Sequence, residues 1–244
     1  SQVLEAPKHE YTKELLASRP KRGDACEKGG EEILIEARRV CLDYVTDKNW
    51  MGNASNFFTA VKDVDFNIKK GERVGLVGES GSGKSSLGKV LLGMEPVTNG
   101  EILWKGKVID FEDRGSMKSF RKGAQPVFQD PFSALNPRMK IGAALAEALM
   151  IRGDVVDIEA QVSDLLKEVG LEASDAEKYP GSFSGGQRQR IVLARALAIE
   201  PEFLVLDESV AALDLRIQAE ILDLLSEIQK KRELAFLFIS HDLT

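Results

Sequence analysis

The sequence predicts an α/β fold built on a mainly parallel sheet, with a helical segment inserted between two of its strands. Three observations point there. Short apolar runs, "RVGLV", "FLVLDE" and "AFLFIS", have the length and composition of sheet strands. They alternate with longer stretches of helical spacing, "KSSLGKVLLGM", "GGQRQRIVLARALAI" and "IQAEILDLLSEIQKK", the order expected of strand–helix–strand crossovers. From Ala143 to about Leu171 the apolar residues of "AALAEALMI" and "IEAQVSDLLKEVGL" recur three and four apart with no strand between them.

In chain order, the residues up to about Glu31 are polar and charge-rich, and "SRPKRGDACEKGGEE" reads as a linker. "ILIEARRVCLDYV" and "FFTAVKDVDFNIKKGE" follow as two strands, the second ending at Gly71. "RVGLV" is expected as a short buried strand leading into the helix "KSSLGKVLLGM". "QPVFQ" is a further short strand candidate, and its Pro126 suits an edge strand or a strand start. After the helical insertion comes the helix of "GGQRQRIVLARALAI", stopped by Pro201. The strand "FLVLDE", another helix and the strand "AFLFIS" before His241 complete the reading, and no internal repeat is present.

Composition narrows the function classes. The net charge is −6 and no stripe of Lys and Arg interleaved with aromatics occurs, so no nucleic-acid partner is expected. Cys26 and Cys41 lack the spacing of a metal or redox pair. No apolar run approaches the roughly 20 residues of a membrane span, so any membrane role is expected to come through a partner.

The chemistry concentrates first in "GESGSGKSS". Gly78, Gly83, Lys84 and Ser85 meet the pattern G-x-x-x-x-G-K-[ST] directly after a strand and at the start of a helix. A Gly/Ser-rich surface turn would share the composition but not this context. Across Gly78, Glu79, Ser80, Gly81, Ser82, Gly83, Lys84, Ser85 and Ser86 the backbone can curl so that successive N–H groups face inward, and the helix start adds its positive end. Lys84 is expected to reach the outer phosphates of a nucleotide, and the Ser85 hydroxyl to hold Mg2+.

Asp207 and Glu208 end an apolar strand, at the sheet edge where open α/β folds bind ligands. Asp207 is placed for the Mg2+ shell, and Glu208 to orient and deprotonate an attacking water. His241, at the end of another apolar strand, is a candidate γ-phosphate contact, a strand-end cap being the alternative. In "SFSGGQRQR", Ser184, Gly185, Gly186 and Gln187 open a long helix. This is either a simple helix cap or a second anion-binding helix start, and as the latter it requires a partner.

Together these runs resemble the ATP-binding subunits of ABC transporters. "GESGSGKSS" is similar to the Walker A loop, "VFQDP" to the Q-loop through Gln129, and "FSGGQ" to the signature motif. "FLVLDE" resembles Walker B, "AALD" the D-loop through Asp214, and "SHD" the switch histidine, His241. All six stand in family order. The resemblance implies a P-loop NTPase fold of the ABC type, with an antiparallel β subdomain beside the core sheet and a helical signature subdomain at about residues 131–185. It implies ATP and Mg2+ as cofactors, with Gln129 joining Ser85 and Asp207 at the metal and Lys84, Gln129, Glu208 and His241 in the catalytic set. It also implies a head-to-tail pairing with another ATP-binding domain, whose ATP meets the signature residues of this one. An aromatic stacked on adenine is expected, with Tyr44 the first candidate and Trp50, Phe57 and Phe58 its competitors.

"VFQDPFSALNPRM" narrows the resemblance to the oligopeptide, dipeptide and microcin C importer group. That implies ATP hydrolysis at the cytoplasmic face of the membrane, peripheral to two permease subunits and served by an extracytoplasmic substrate-binding protein. Nickel and glutathione importers have similar ATPases and stand as alternatives. A soluble ABC protein acting on ribosomes or DNA would be expected to carry a basic arm or a long coiled insertion, neither of which is visible. A small-molecule kinase would leave "FSGGQ" unexplained. "VLEAPKHEYTKELLASRP" resembles the tail that closes ATP-binding domains of this group, an unrelated amphipathic helix being the alternative, so residues 1–32 are expected as a linker after an earlier domain, residues 33–244 forming the second half of a tandem ATPase that continues beyond Thr244. "DESVAALD" departs from the usual "DEPTSALD" at Ser209 and Val210, positions that carry no catalytic group.

Overall fold

The structure is a computed structural model that describes residues 31–48, 54–127, 131–207 and 215–240. Two compact units emerge from it, and neither is continuous in sequence.

The first unit carries both sheets. Strand β1 (Ile33–Lys48) pairs antiparallel with β2 (Ala54–Lys69) and with β4 (Asn99–Trp104), and β4 turns back into β5 (Lys107–Val108). The second sheet is parallel, in the order β3-β8-β7-β6, from β3 (Arg73–Val77), β8 (Ala235–Ser240), β7 (Phe203–Asp207) and β6 (Ala124–Val127). Helix α1 (Lys84–Leu91) follows β3, and α2 (Arg114–Gly123) precedes β6.

One hydrophobic core joins the two sheets. Ile35, Val40 and Ile68 of the antiparallel sheet, Val90 and Leu91 of α1, Phe120 of α2, and Phe203 and Leu237 of the parallel sheet all bury their side chains in it. Trp104 meets Phe120 edge-on at 5.2 Å, the geometry favoured by aromatic quadrupoles.

Two expectations about strands change. "RVGLV" forms β3 but is not buried along its length: Val77 is 38% exposed and Gly75 is open. Among the described residues β3 is an edge strand, paired on one side by β8, and an edge strand is covered less than a central one. Gly71 lies in a turn after β2 with φ +71°, a left-handed conformation that favours glycine. Pro126 sits on β6, an edge strand among the described residues, where a residue without an N–H is tolerated.

Strands β4 and β5 and helix α2 have no apolar periodicity in the sequence that predicts them. Helix α2 buries only Met117 and Phe120, too few for a periodic signal, and is announced instead by its cap, Asp113, which accepts from the N–H groups of Gly115 and Ser116.

The second unit is helical. It contains α3 (Pro131–Ala134), α4 (Ile141–Arg152), α5 (Ile158–Glu168), α6 (Gly185–Leu197) and α7 (Leu215–Arg232). Asp157 caps α5 by accepting from the Ala160 N–H. Arg232 of α7 holds Glu168 of α5 through two guanidinium nitrogens at 3.0 and 2.6 Å. Arg190 of α6 reaches Glu220 of α7 at 3.1 Å and the Val169 carbonyl at 3.0 Å. These bonds tie three helices whose apolar faces already meet.

Candidate nucleotide-binding site

The turn between β3 and α1 has the backbone that a phosphate cradle needs. Gly81 and Gly83 adopt φ of +80° and +91°, and the Ser82 N–H closes the turn on the Glu79 carbonyl at 3.2 Å. At Gly83 no other residue fits, because a Cβ there would stand 2.1 Å from the carbonyl oxygen of Ala60 on β2. Gly83 is also the N-cap of α1, and no side chain caps that helix. The first N–H to find an intrahelical acceptor belongs to Leu87, bonded to the Gly83 carbonyl at 2.9 Å. The N–H groups of Lys84, Ser85 and Ser86 are therefore without helical partners and lie at the positive end of the helix dipole.

Lys84 is 7% exposed, yet its ammonium is only provisionally satisfied. Its Nζ donates to the carbonyls of Gly78 and Glu79, each at 2.7 Å, and to the Ser82 hydroxyl at 3.4 Å. All three acceptors are neutral oxygens, so the charge is held but not neutralised. A cation beside unpartnered N–H groups is an anion site by its own chemistry.

The Ser85 hydroxyl donates to Asp207 Oδ1 at 3.3 Å. Asp207 ends β7, and in the parallel register it stands beside Ile239 of β8. Helix α1 sits low on the sheet here: a Cβ on Gly88 would come 2.7 Å from Ile239 Cδ1 and 3.4 Å from Val205 Cγ1. A glycine inside a helical pattern is the sequence signal for such close approach, and "KSSLGKVLLG" carries one that sequence reading left unused.

Four site residues expected from sequence, Gln129, Glu208, Asp214 and His241, lie outside the described residues. Strands β6, β7 and β8 all end at the carboxyl edge of the sheet where β3 ends, with Val127, Asp207 and Ser240 as their last residues. Tyr44 is half-buried and packs against the hydrophobic core. Its cross-strand neighbour Phe58 is 55% exposed and Phe57 62% exposed, while Trp50 is outside the described residues.

At the start of α6, Ser184 and Gln187 bond to one another. The Ser184 Oγ accepts from the Gln187 N–H at 3.3 Å, and Gln187 Oε1 accepts from the Ser184 N–H at 3.0 Å. This reciprocal cap leaves the N–H groups of Gly185 and Gly186 at the first two helical positions. Gly186 is buried against α7, where a Cβ would stand 2.6 Å from Ile217 Cγ2. Among the described residues no helix is long and apolar enough to cross a membrane.

Comparison with known proteins agrees with this geometry. The family model described as ABC transporter matches residues 61–211. The oligopeptide transport ATP-binding protein OppF of Streptococcus mutans is 44% identical over 214 residues, 86% of this chain and 68% of that protein. The peptidoglycan transport ATP-binding protein YejF of Agrobacterium fabrum is 39% identical over 245 residues, 99% of this chain and 45% of that protein. The chain thus spans about half the length of YejF. The dimeric ATP-binding cassette MJ0796, solved in a post-hydrolysis state with ADP and Pi, superposes with a TM-score of 0.74 at 26% identity, over 86% of this chain and 89% of that one. The cradle around Lys84, the Ser85–Asp207 pair and these matches lead to one assignment: the chain belongs to the ABC transporter family and carries its ATP-binding domain.

Proposed function

We propose that this chain is part of an ATPase that powers the import of peptides across the cytoplasmic membrane. The observation that carries the ATPase reading is the meeting of the phosphate turn and the β7 carboxylate at Ser85 and Asp207. The peptide reading is supported by "FQDPFSALNPRM" and by similarity to an oligopeptide transport protein.

In this reading the N–H groups of Gly81, Gly83, Lys84, Ser85 and Ser86 donate to the phosphate oxygens, and Lys84 exchanges its carbonyl partners for them. A hydroxyl and a carboxylate 3.3 Å apart are the hard oxygen donors that Mg2+ prefers, so the residues fit that ion. Ser85, Asp207 and Gln129 would hold it, and bound there it offsets charge on the phosphates. Glu208 takes a proton from the attacking water, and His241 contacts the γ-phosphate. Tyr44 stacks on adenine. Ser184, Gly185, Gly186 and Gln187 serve the ATP of a second ATP-binding domain. Asp214, in the D-loop, faces that domain.

The second domain is the preceding half of the same polypeptide. Support comes from the tail-like "VLEAPKHEYTKELLASRP" and from a relative about twice as long that matches nearly the whole chain. The protein lies on the cytoplasmic face, bound to two permease subunits that receive cargo from an extracytoplasmic binding protein. The test is uptake of a labelled short peptide by cells carrying Lys84→Ala in the intact gene. Uptake should collapse at unchanged protein level; undiminished uptake would reject peptide as the cargo.

A further inference from the structure

We infer that Gly88 and Ile239 form a positioning pair that sets the height of α1 above the parallel sheet and so holds the Ser85 hydroxyl within reach of Asp207, the two oxygen donors that would hold a divalent cation. The inference rests on the nucleotide-binding reading above and names two residues that no motif of that reading contains.

Three relationships carry it. Gly88 lies three residues after Ser85 on α1, so both project from the same side of the helix. Below Gly88, Ile239 Cδ1 occupies the space that a Cβ would need, at 2.7 Å, and Val205 Cγ1 flanks it at 3.4 Å. Ile239 is also the register partner of Asp207, so the side chain that supports α1 and the carboxylate that Ser85 reaches stand on adjacent strands at one level of the sheet. Ile239 is 2% exposed and Val90 and Leu91 are fully buried, so the contact lies inside the hydrophobic core. A methyl group at Gly88 must lift this turn of the helix or rotate Ile239. Ile239 is packed inside the core at 2% exposure, which opposes its rotation, and lifting the helix moves the Ser85 hydroxyl relative to Asp207.

Gly88 has no left-handed backbone requirement, and alanine is the better helix former by about 1 kcal/mol. Backbone preference alone therefore favours alanine at this position. The contact with Ile239 accounts for glycine where propensity does not. The phosphate cradle itself depends on Gly81, Gly83 and Lys84, which precede this turn of the helix. Lifting α1 at Gly88 should consequently weaken the metal's share of binding and spare the phosphate's share.

The test uses the purified full-length protein and isothermal titration calorimetry with ATP, once in EDTA and once with Mg2+. Gly88→Ala should leave the EDTA affinity within about twofold of wild type and reduce the gain on adding Mg2+ by about tenfold, the usual effect of disturbing the support of a metal ligand. Adding Ile239→Val, which removes the atom that the new methyl would meet, should restore that gain. Mn2+ electron paramagnetic resonance on the ATP complex should follow the same order across the three proteins. An unchanged Mg2+ gain in Gly88→Ala overturns the inference, as does failure of Ile239→Val to restore it. A Gly88→Ala protein that does not fold, and is not rescued by Ile239→Val, also overturns it, since the contact would then carry the fold rather than the site. Wild-type protein that binds no ATP in either condition rejects the nucleotide reading itself and this inference with it.

Discussion

Ser85 and Asp207 meet at 3.3 Å across 122 residues of sequence, the hydroxyl donating to Oδ1. The contact links the first residues of α1 to the last residue of β7, and it is the shortest description of how two distant motifs become one site. Ser85→Ala keeps the fold and the backbone cradle but removes one oxygen donor. Its expected effect is a loss of about tenfold to a hundredfold in Mg2+-dependent ATP binding, with metal-free binding little altered. Calorimetry in Mg2+ and in EDTA separates the two.

Lys84 supplies the only side-chain cation within the turn "GESGSGKSS". Replacing it by alanine should lower ATP affinity by about ten- to a hundredfold, the range for a hydrogen bond to a charged group. The residues whose carbonyls it now serves, Gly78 and Glu79, are half-buried and exposed, so thermal stability should change little. A large fall in melting temperature would instead make Lys84 a structural strut.

Glu208 stands one residue after Asp207, outside the described residues. As general base it predicts that Glu208→Gln in the full-length protein retains ATP while hydrolysis falls about 10²–10⁴-fold. Phosphate release and nucleotide retention, measured on the same sample, check this; unchanged turnover removes Glu208 from the role.

Gly83→Ala tests the backbone of the cradle. The added Cβ would meet the Ala60 carbonyl in a residue already at φ +91°. Strain and overpacking together should destabilise the protein by about 3 kcal/mol. Urea denaturation of wild type and variant gives the difference directly.

Asp175 offers a pH test away from the site. It is 6% exposed, accepts from the Glu172 N–H at 3.0 Å and pairs with Lys178 at 2.7 Å. The hydrogen bond from Lys178, helped by that from the Glu172 N–H and opposed by burial, holds its carboxyl below the usual aspartate range. A depressed carboxyl stabilises the fold above its unfolded pKa, near 4, and loses that stabilisation as pH falls through the lower folded value. Asp175→Ala should therefore cost about 1–2 kcal/mol at neutral pH. The gap to wild type should narrow below about pH 4, as denaturant titrations at several pH values would show.

Local chemistry made much of this protein legible from its sequence. The phosphate turn needs glycines, one lysine and one hydroxyl in consecutive order, and "GESGSGKSS" states all of them. Helices α4, α5 and α7 announce themselves because each buries one face along several turns, which leaves apolar residues three and four apart, while α6 buries most of its circumference from Ile191 to Leu197 and reads as a long apolar helix. Strands β7 and β8 do so because both faces are covered, giving "FLVLD" and "AFLFIS". Helix α2 and strands β4 and β5 were silent because they are short and bury few side chains.

What the tertiary structure decided is everything that depends on distance between residues far apart in the chain. No local pattern says that β3 pairs with β8, that Ser184 and Gln187 cap each other, or that Ile217 fills the space left by Gly186. Gly88 is the clearest case. In sequence it is a weak spot in a helix, and only the packing of α1 on β8 shows the side chain that requires it. The identity of the reacting groups is a property of residues and can be written in sequence; their separation is a property of packing, set by atoms that the motifs do not contain.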